Sequence, residues 1–548
     1  MKVARLIGGA GTGKTTELLK IMEQALEAIK DPTLLGFASF TRAARAEAVS
    51  RASVAWGVAP EILSIKGWFR TVHSTVLRCL GDEADDIVSD SKKDLEWLSN
   101  ALGVRLSTDI DEAYGNMRYI GDETTSAALN CWSLARSTMM PVEPIVKRLF
   151  QVDDSVPNYD AVIRIAEKYE TAKRLDGKMD FTDALMRFAG VSMTPTGVPR
   201  FGTPIGSLPE VSAWLFDEQQ DASPLLDLVC KRLVSAPSVM WCYLVGDPFQ
   251  SIYGFAGSSS RCFMSWKADK ERIMPKSWRC PKRILDLGEQ CLKKVAGYFD
   301  RKIAPADHDG KITGLNSIED VVSLADPNQD WLMLARTNFQ ARRIAGVLHS
   351  YRKPFKWTSQ PDGLTNRGIG LSALYDLENG KPITGAAWLQ AMELLPQRAS
   401  DGGAYLVRGT RSRWRAEPER ASEWDRIWPE DLAQVGATDK LAEALKSKRW
   451  VRLVDRGDEW RQMAVKHGAE LACSPKIRVG TIHSSKGAEA ENVAILTTTS
   501  GKISDGISVD KEIADEERRL AYVAVTRSKK NLFIIDDGRA SSPRMEIP

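Results

Sequence analysis

Short apolar runs alternate with stretches of helical periodicity along most of this chain. Val3 to Ile7 reads as a buried strand. It is followed from about Lys14 by a helix whose apolar residues Leu18, Leu19, Met22, Ala25, Leu26 and Ile29 recur at helical spacing. Further strands are predicted at LLGFASF (34–40), VSAWLF (211–216) and MWCYLV (240–245), each running into polar or small residues and then a helical or turn pattern. Such alternation predicts an α/β architecture with a parallel sheet covered on both faces, in which function gathers where strands end and helices begin. From about 80 to 175 the alternation breaks. That stretch opens with the acidic run GDEADDIVSD and continues in helix-like segments such as AVIRIAEKYETAKRL, which predicts a helical insertion. Alternation resumes from about 271 with WLMLART (331–337) and lapses again between about 360 and 470. Strands return at KIRVGTIHS (476–484), NVAIL (492–496) and NLFII (531–535). The pattern is that of two α/β units, each split by an insertion.

Composition changes this picture little. At 548 residues, 43% hydrophobic and 27% charged, the chain has the balance of a soluble, well-packed protein. A formal charge of +3 provides no global field, so a nucleic-acid partner has to be held by local basic patches. Eight cysteines without a CxxC pair speak against zinc or iron–sulfur chemistry and for a reducing, cytoplasmic setting. The apolar run in MKVARLIGGAG is too short for a signal peptide, and no stretch approaches the roughly 20 apolar residues of a membrane span.

The chemistry begins at residue 8. Gly8-Gly-Ala-Gly11-Thr-Gly13-Lys14-Thr15 matches GxxxxGK[ST] between a predicted strand and a predicted helix, the context its mechanism requires. The glycines let backbone N–H groups wrap phosphates, Lys14 reaches the β- and γ-phosphates, and the Thr15 hydroxyl binds magnesium. The run DEQQD then acquires a meaning beyond an acidic helix cap. An acid at the end of a neighbouring apolar strand completes a magnesium site in such nucleotide hydrolases, and Asp217 stands at such an end. Glu218, next to it, is placed to take a proton from the attacking water.

Later blocks narrow the reading. FASFTRAARAEA (37–48), TVHS (71–74), DFTDAL (180–185), VGDPFQSIYGFAGS (245–258), KSWRCPKRI, TIHSSKGAEAENVAIL from Thr481 and EERRLAYVAVTRSKKNL from Glu516 follow the P-loop in order. Together the blocks resemble the ordered motif set of superfamily 1 DNA helicases of the UvrD/Rep type. The resemblance implies an α/β fold of two RecA-like P-loop NTPase domains with parallel sheets, each interrupted by a mainly helical accessory insertion. The boundaries it implies are 1–80, 81–175 (insertion) and 176–270 for the first domain. For the second they are 271–360, 361–470 (a shortened insertion) and 471–548. Its cofactors are ATP and Mg2+. Its partners are single-stranded DNA and single/double-strand junctions, and its implied activity is ATP-driven translocation with 3′→5′ polarity and duplex unwinding through cleft closure.

Carried over residue by residue, the resemblance gives Gln250 a γ-phosphate-sensing role and makes Arg279 and Arg527 γ-phosphate arginines. Such guanidinium groups are worth about 10³–10⁵ in rate. Trp278 would stack on the base, Glu489 would lie near the sugar or γ-phosphate, and Thr16 stands where many relatives carry an arginine that packs on the base. For DNA the resemblance points to Phe40, Thr41, Arg42, Thr71, His73, Tyr253, Phe255, Arg336, Asn338, Thr481 and His483. Aromatic stacking suits a strand read without regard to sequence.

Some positions depart from the family pattern. The P-loop begins at residue 8, which leaves no place for the family's upstream adenine-reading glutamine motif. Ala256 replaces a usual arginine, and Ala488 and Ala490 replace bulkier apolar residues. In the second insertion, RGTRSRWRAEPER (408–420) and KSKRWVR (446–452) set basic residues around Trp414 and Trp450. Either these grip duplex DNA or the tryptophans are buried beneath a solvated basic face. Two other activities compete with unwinding: a translocase that strips proteins from single strands, and a weakly hydrolysing nucleotide switch.

Overall fold

The computed structural model of the protein describes residues 1–40, 42–84, 86–110, 117–150, 157–360, 365–396, 398, 403–416, 418–538 and 543–548. The chain forms two compact units: Met1–Gly310 with Thr499–Thr526 and Pro543–Pro548, and Lys311–Thr498 with Arg527–Ser542.

The first unit is built on a six-stranded sheet in the order Lys270–Ile273, Lys2–Ile7, Trp241–Gly246, Ala213–Phe216, Leu35–Ser39, Trp68–Thr71. All its pairings are parallel. The P-loop strand Lys2–Ile7 is second in this order, paired in register with Trp241–Gly246 on one side and with the edge strand Lys270–Ile273 on the other. Strands buried on both faces are apolar almost throughout; Leu35–Ser39 and Ala213–Phe216 are buried at every residue. One position in this layer is filled to its limit. A Cβ on Gly36 would stand 2.4 Å from the ring of Trp214, itself fully buried.

The insertion in this unit carries the helices Lys92–Leu102, Glu123–Thr138, Val142–Phe150 and Tyr159–Leu175. It also holds an antiparallel strand pair, Leu106–Ile110 with Met117–Gly121, that the helical periodicity does not announce. Its core gathers Leu98, Trp132, Ala166 and Tyr169. Beneath it, Arg136 and Lys173 share the carboxylates of Asp180 and Asp183. Asp180 also caps the helix Phe181–Ala189 in a capping box with Asp183, which is how DFTDAL begins a helix. Residues 271–310 and the helix Lys511–Val525, expected with the second α/β unit, pack within this compact unit.

The second unit has its own six-stranded parallel sheet, in the order Lys311–Leu315, Ser528–Ile535, Ala490–Leu496, Trp331–Ala335, Ile477–Thr481, Phe355–Trp357. Its insertion is helical, with a core holding Trp388, Trp414, Trp450 and Trp460. Trp450 is fully buried and donates its indole N–H to Glu378 at 2.6 Å, and Arg461 grips the same carboxylate. Trp414 is 2% exposed, while Arg415 pairs with Glu393. The tryptophans of the basic stretches therefore hold the insertion together from inside. Among the described residues, no helix is long and apolar enough to cross a membrane.

The contact at Gly36 yields a stability prediction. Gly36→Ala forces the Trp214 indole to shift in a layer without slack and lowers stability by about 1–3 kcal/mol. A urea or thermal melt reads this as an earlier transition; an unchanged midpoint means that the layer accommodates a methyl group.

Candidate nucleotide site

The P-loop sits between the strand Lys2–Ile7 and the helix Lys14–Ile29. Gly11 and Gly13 have φ of +68° and +81°, a region in which an L side chain is strained. Gly13 is the N-cap of that helix and offers no side-chain cap, so the first N–H groups of the helix face outwards. Helix N-termini of this kind favour phosphate, through both the orphan N–H groups and the helix dipole. Gly8 N–H donates to the Gly246 carbonyl at 3.0 Å, which ties the loop to the adjacent strand. Lys14 Nζ folds back onto the Gly8 carbonyl at 3.1 Å. Thr15 is half-buried and Thr16 exposed at the start of the helix.

Two places away in the sheet, the strand Ala213–Phe216 ends in Asp217 and Glu218. Asp217 is 5% exposed, and its Oδ1 accepts the Glu218 N–H at 2.9 Å. Burial, and next the neighbouring charge of Glu218, push the Asp217 carboxyl up to about 7, against the pull of Lys14 and that N–H bond. A carboxylate driven into such a setting beside a second acid is what a divalent cation relieves. With the Thr15 hydroxyl, Asp217 is a fitting holder for Mg2+. Glu218 is held at φ +54°, a left-handed conformation uncommon outside glycine and asparagine. Its carboxylate accepts a bond from the Gln220 amide.

Gln220 leads onward. Its Oε1 accepts the Asp247 N–H at 3.0 Å, and Gln250, buried, donates from Nε2 to Asp247 at 2.8 Å. On the other side of the loop, Trp278 N–H donates to the Gly11 carbonyl at 2.8 Å, and Ser277 Oγ donates to Ala10 O at 2.8 Å. The Trp278 ring itself is 68% exposed, with Lys276 Nζ 4.7 Å from its centroid. Arg279 Nη1 donates to the Thr526 carbonyl at 3.3 Å. The first unit therefore gathers Gly8, Gly11, Gly13, Lys14, Thr15, Asp217, Glu218, Gln250, Trp278 and Arg279 around one loop.

The second unit carries Arg527, buried, with Nη1 on the Ala488 carbonyl at 3.2 Å, and Glu489, paired with Lys529 at 2.6 Å. It also carries Arg336 and Asn338 just beyond the strand Trp331–Ala335, and Thr481 and His483 at the end of Ile477–Thr481. Thr481 Oγ1 accepts the Ser484 N–H at 3.2 Å and shapes that turn.

The residues expected on DNA in the first unit differ in exposure. Phe255 is 55% exposed, and Tyr253, buried, meets it edge-on at 6.0 Å between centroids. Phe40 lies in the core, His73 is buried edge-on against Phe181, and Thr71 caps the helix Val72–Leu80. Thr41 and the Arg42 side chain lie outside the described residues.

Two family models match the chain: the UvrD/REP helicase N-terminal domain over residues 2–271 and the UvrD-like helicase C-terminal domain over 459–537. The chain belongs to the UvrD/Rep helicase family. It is accordingly an ATP-dependent DNA helicase with two RecA-like domains, and ATP and Mg2+ are its cofactors. Among its relatives, YjcD of Bacillus subtilis is 22% identical over 96% of this chain and 76% of its own length. DNA helicase II of Haemophilus influenzae is 22% identical over 96% of this chain and 81% of its own. The ATP-dependent DNA helicase Rep of Buchnera aphidicola (subspecies Schizaphis graminum) is 28% identical, but the match spans 59% of this chain and 61% of that protein.

Sequence reasoning passed over Arg301 and Tyr522, which the fold brings to the Asp247 carboxylate. Tyr522 lies within EERRLAYVAVTRSKKNL, whereas Arg301 belongs to no local pattern.

A prediction follows from the state of Asp217. An acid near 4 when unfolded and near 7 when folded binds its proton more tightly in the native state. Its contribution to the stability of ligand-free enzyme is therefore lost as pH rises from about 4 to 7. Asp217→Asn abolishes that dependence, so in melts at pH 8 the ligand-free variant is more stable than wild type. Its Mg2+-dependent ATP hydrolysis falls by about 10²-fold or more.

Proposed function

We propose that this helicase translocates along single-stranded DNA in the 3′→5′ direction and unwinds duplex at single/double-strand junctions. Hydrolysis is coupled to movement by closure of its RecA-like domains on the nucleotide. The observation that carries the reading is the link from Glu218 through Gln220 and Asp247 to Gln250. Gln250 opens a segment that reaches the exposed ring of Phe255 five residues later. A group beside the γ-phosphate and an aromatic offered to DNA bases thus share one short stretch of chain, the arrangement a motor needs.

In this reading Lys14 and Thr15 hold the phosphates and Mg2+ with Asp217, and Glu218 accepts the proton of the attacking water. Gln250, Arg279 and Arg527 steady charge on the γ-phosphate as it develops. Trp278 stacks on the base, and Glu489 lies towards the nucleotide. Phe255 with Tyr253, and in the second unit Arg336, Asn338, Thr481 and His483, follow the DNA strand. A weakly hydrolysing switch would have no use for arginines that act only in the transition state. A translocase that strips proteins without unwinding uses the same residues and differs only in outcome.

Glu218→Gln keeps ATP and DNA binding but slows turnover by about 10²–10⁴-fold; near-wild-type turnover removes Glu218 from the base role. ATP hydrolysis by the wild-type chain rises on adding single-stranded DNA, and duplexes with 3′ tails are displaced in preference to those with 5′ tails. Hydrolysis indifferent to DNA overturns the motor, a 5′ preference overturns the polarity, and DNA-stimulated hydrolysis without displacement leaves the stripping translocase.

A further inference from the structure

Asp247 is the most heavily bonded buried charge near the P-loop. Its side chain and that of Arg301 have no exposure at all, and they meet at 2.7 Å. Asp247 Oδ1 also accepts the Phe249 N–H at 3.1 Å, while Oδ2 accepts the Gln250 amide at 2.8 Å and the Tyr522 hydroxyl at 3.3 Å. The Tyr522 oxygen in turn accepts the Ala10 N–H of the P-loop at 3.1 Å. Arg301 spends its second nitrogen on Glu289, and its guanidinium lies 4.8 Å and 5.1 Å from the rings of Phe249 and Tyr522. A Cβ on Gly9 would come within 3.4 Å of Arg301 Nη1 and 3.5 Å of the Tyr522 hydroxyl, so both groups stand directly against the loop.

Tyr522 does not act alone on its helix. Arg519, three residues earlier and adjacent to Tyr522 on the helix surface, and Glu516, three residues before that, reach the same segment. Arg519 Nε donates to the Ser251 carbonyl at 2.7 Å, and Glu516 Oε1 accepts the Gly254 N–H at 2.9 Å. The helix Lys511–Val525 thereby fastens Asp247, Ser251 and Gly254. Burial raises the Tyr522 phenol above its ordinary range, so the hydroxyl stays protonated and can donate to Asp247. A buried ion pair is a poor source of net stability, and this one is supplied with more donors than pairing requires. That surplus fits a role in orientation.

We propose that Arg301 and Tyr522 are positioning residues for ATP hydrolysis, which act through Asp247 to fix the Gln250 amide relative to the P-loop turn at Ala10. This rests on the reading of Lys14 and Gln250 as nucleotide-handling groups. Neither Arg301 nor Tyr522 is asked to touch the nucleotide. Losing their grip lets Gln250 turn away from the charge that develops late in the reaction, which lowers kcat and leaves ground-state binding almost intact.

The test is Tyr522→Phe, which removes one oxygen and keeps the ring beneath Arg301, measured by steady-state ATP hydrolysis with single-stranded DNA and by circular dichroism at the assay temperature. The expected result is a kcat about tenfold lower, a KM for ATP within about twofold, and an unchanged folded fraction. In a Gln250→Ala background the same substitution costs less than about threefold, because the group it positions is gone. Arg301→Lys keeps the charge but not the fork that spans Asp247 and Glu289, and shows the same split between kcat and KM. A kcat within twofold of wild type in Tyr522→Phe, a full tenfold loss in both backgrounds, or a loss matched by unfolding overturns the positioning role. Lys14→Ala separates this from the site assignment. Hydrolysis that survives in Lys14→Ala sinks the assignment itself, whereas an inactive Lys14→Ala beside a silent Tyr522→Phe sinks only the positioning role.

Discussion

The first unit depends on carrying a charge to the end of a strand that has no contact with water. Ala213–Phe216 is buried at every residue, and its direction in the parallel sheet delivers Asp217 to the same sheet edge as the P-loop. The cost of that delivery is the burial of the Asp217 charge and, next, its repulsion by Glu218, both seen in the upward push on Asp217. Every other feature of the site answers it: a lysine on the loop, a helix N-terminus with open N–H groups, and a place for a divalent cation. The apolar strand and the acids are parts of one device, because water at the strand end would screen the acids and weaken their attraction for the ion.

Much of this was readable from residue order alone, for physical reasons. Strands covered on both faces must be apolar throughout, so VSAWLF and MWCYLV stand out, and the P-loop glycines are imposed by local backbone geometry. What escaped was set by distant contacts. Arg301 and Tyr522 converge on Asp247 from 54 and 275 residues away, and no local pattern encodes such a meeting. The strand pair Leu106–Ile110 with Met117–Gly121 lies inside an otherwise helical insertion and is too short to outweigh its surroundings. Phe40 and Trp450 show the limit of reading aromatics by neighbourhood. Both lie in basic or DNA-like stretches, and both point inwards, because the core competes for large apolar side chains and usually wins.

The two sheets show how a repeated architecture can be supported differently. Each has six parallel strands, yet the first surrounds its nucleotide loop with buried ion pairs and shared hydrogen bonds. The second leaves Arg336, Asn338 and Thr481 at or just beyond strand ends, Arg336 and Thr481 half-buried and Asn338 exposed. Its insertion is built on tryptophans and the Glu378–Arg461 pair, with Arg415 tied to Glu393 nearer the surface.

The left-handed backbone of Glu218 has a consequence for the evolution of the protein. Glycine or asparagine would sit at φ +54° with less strain than glutamate does. Selection for heat resistance alone would therefore drift towards those residues at this position, and each step would surrender the carboxylate. With Glu218 as the base proposed above, folding stability and turnover pull in opposite directions at this single residue.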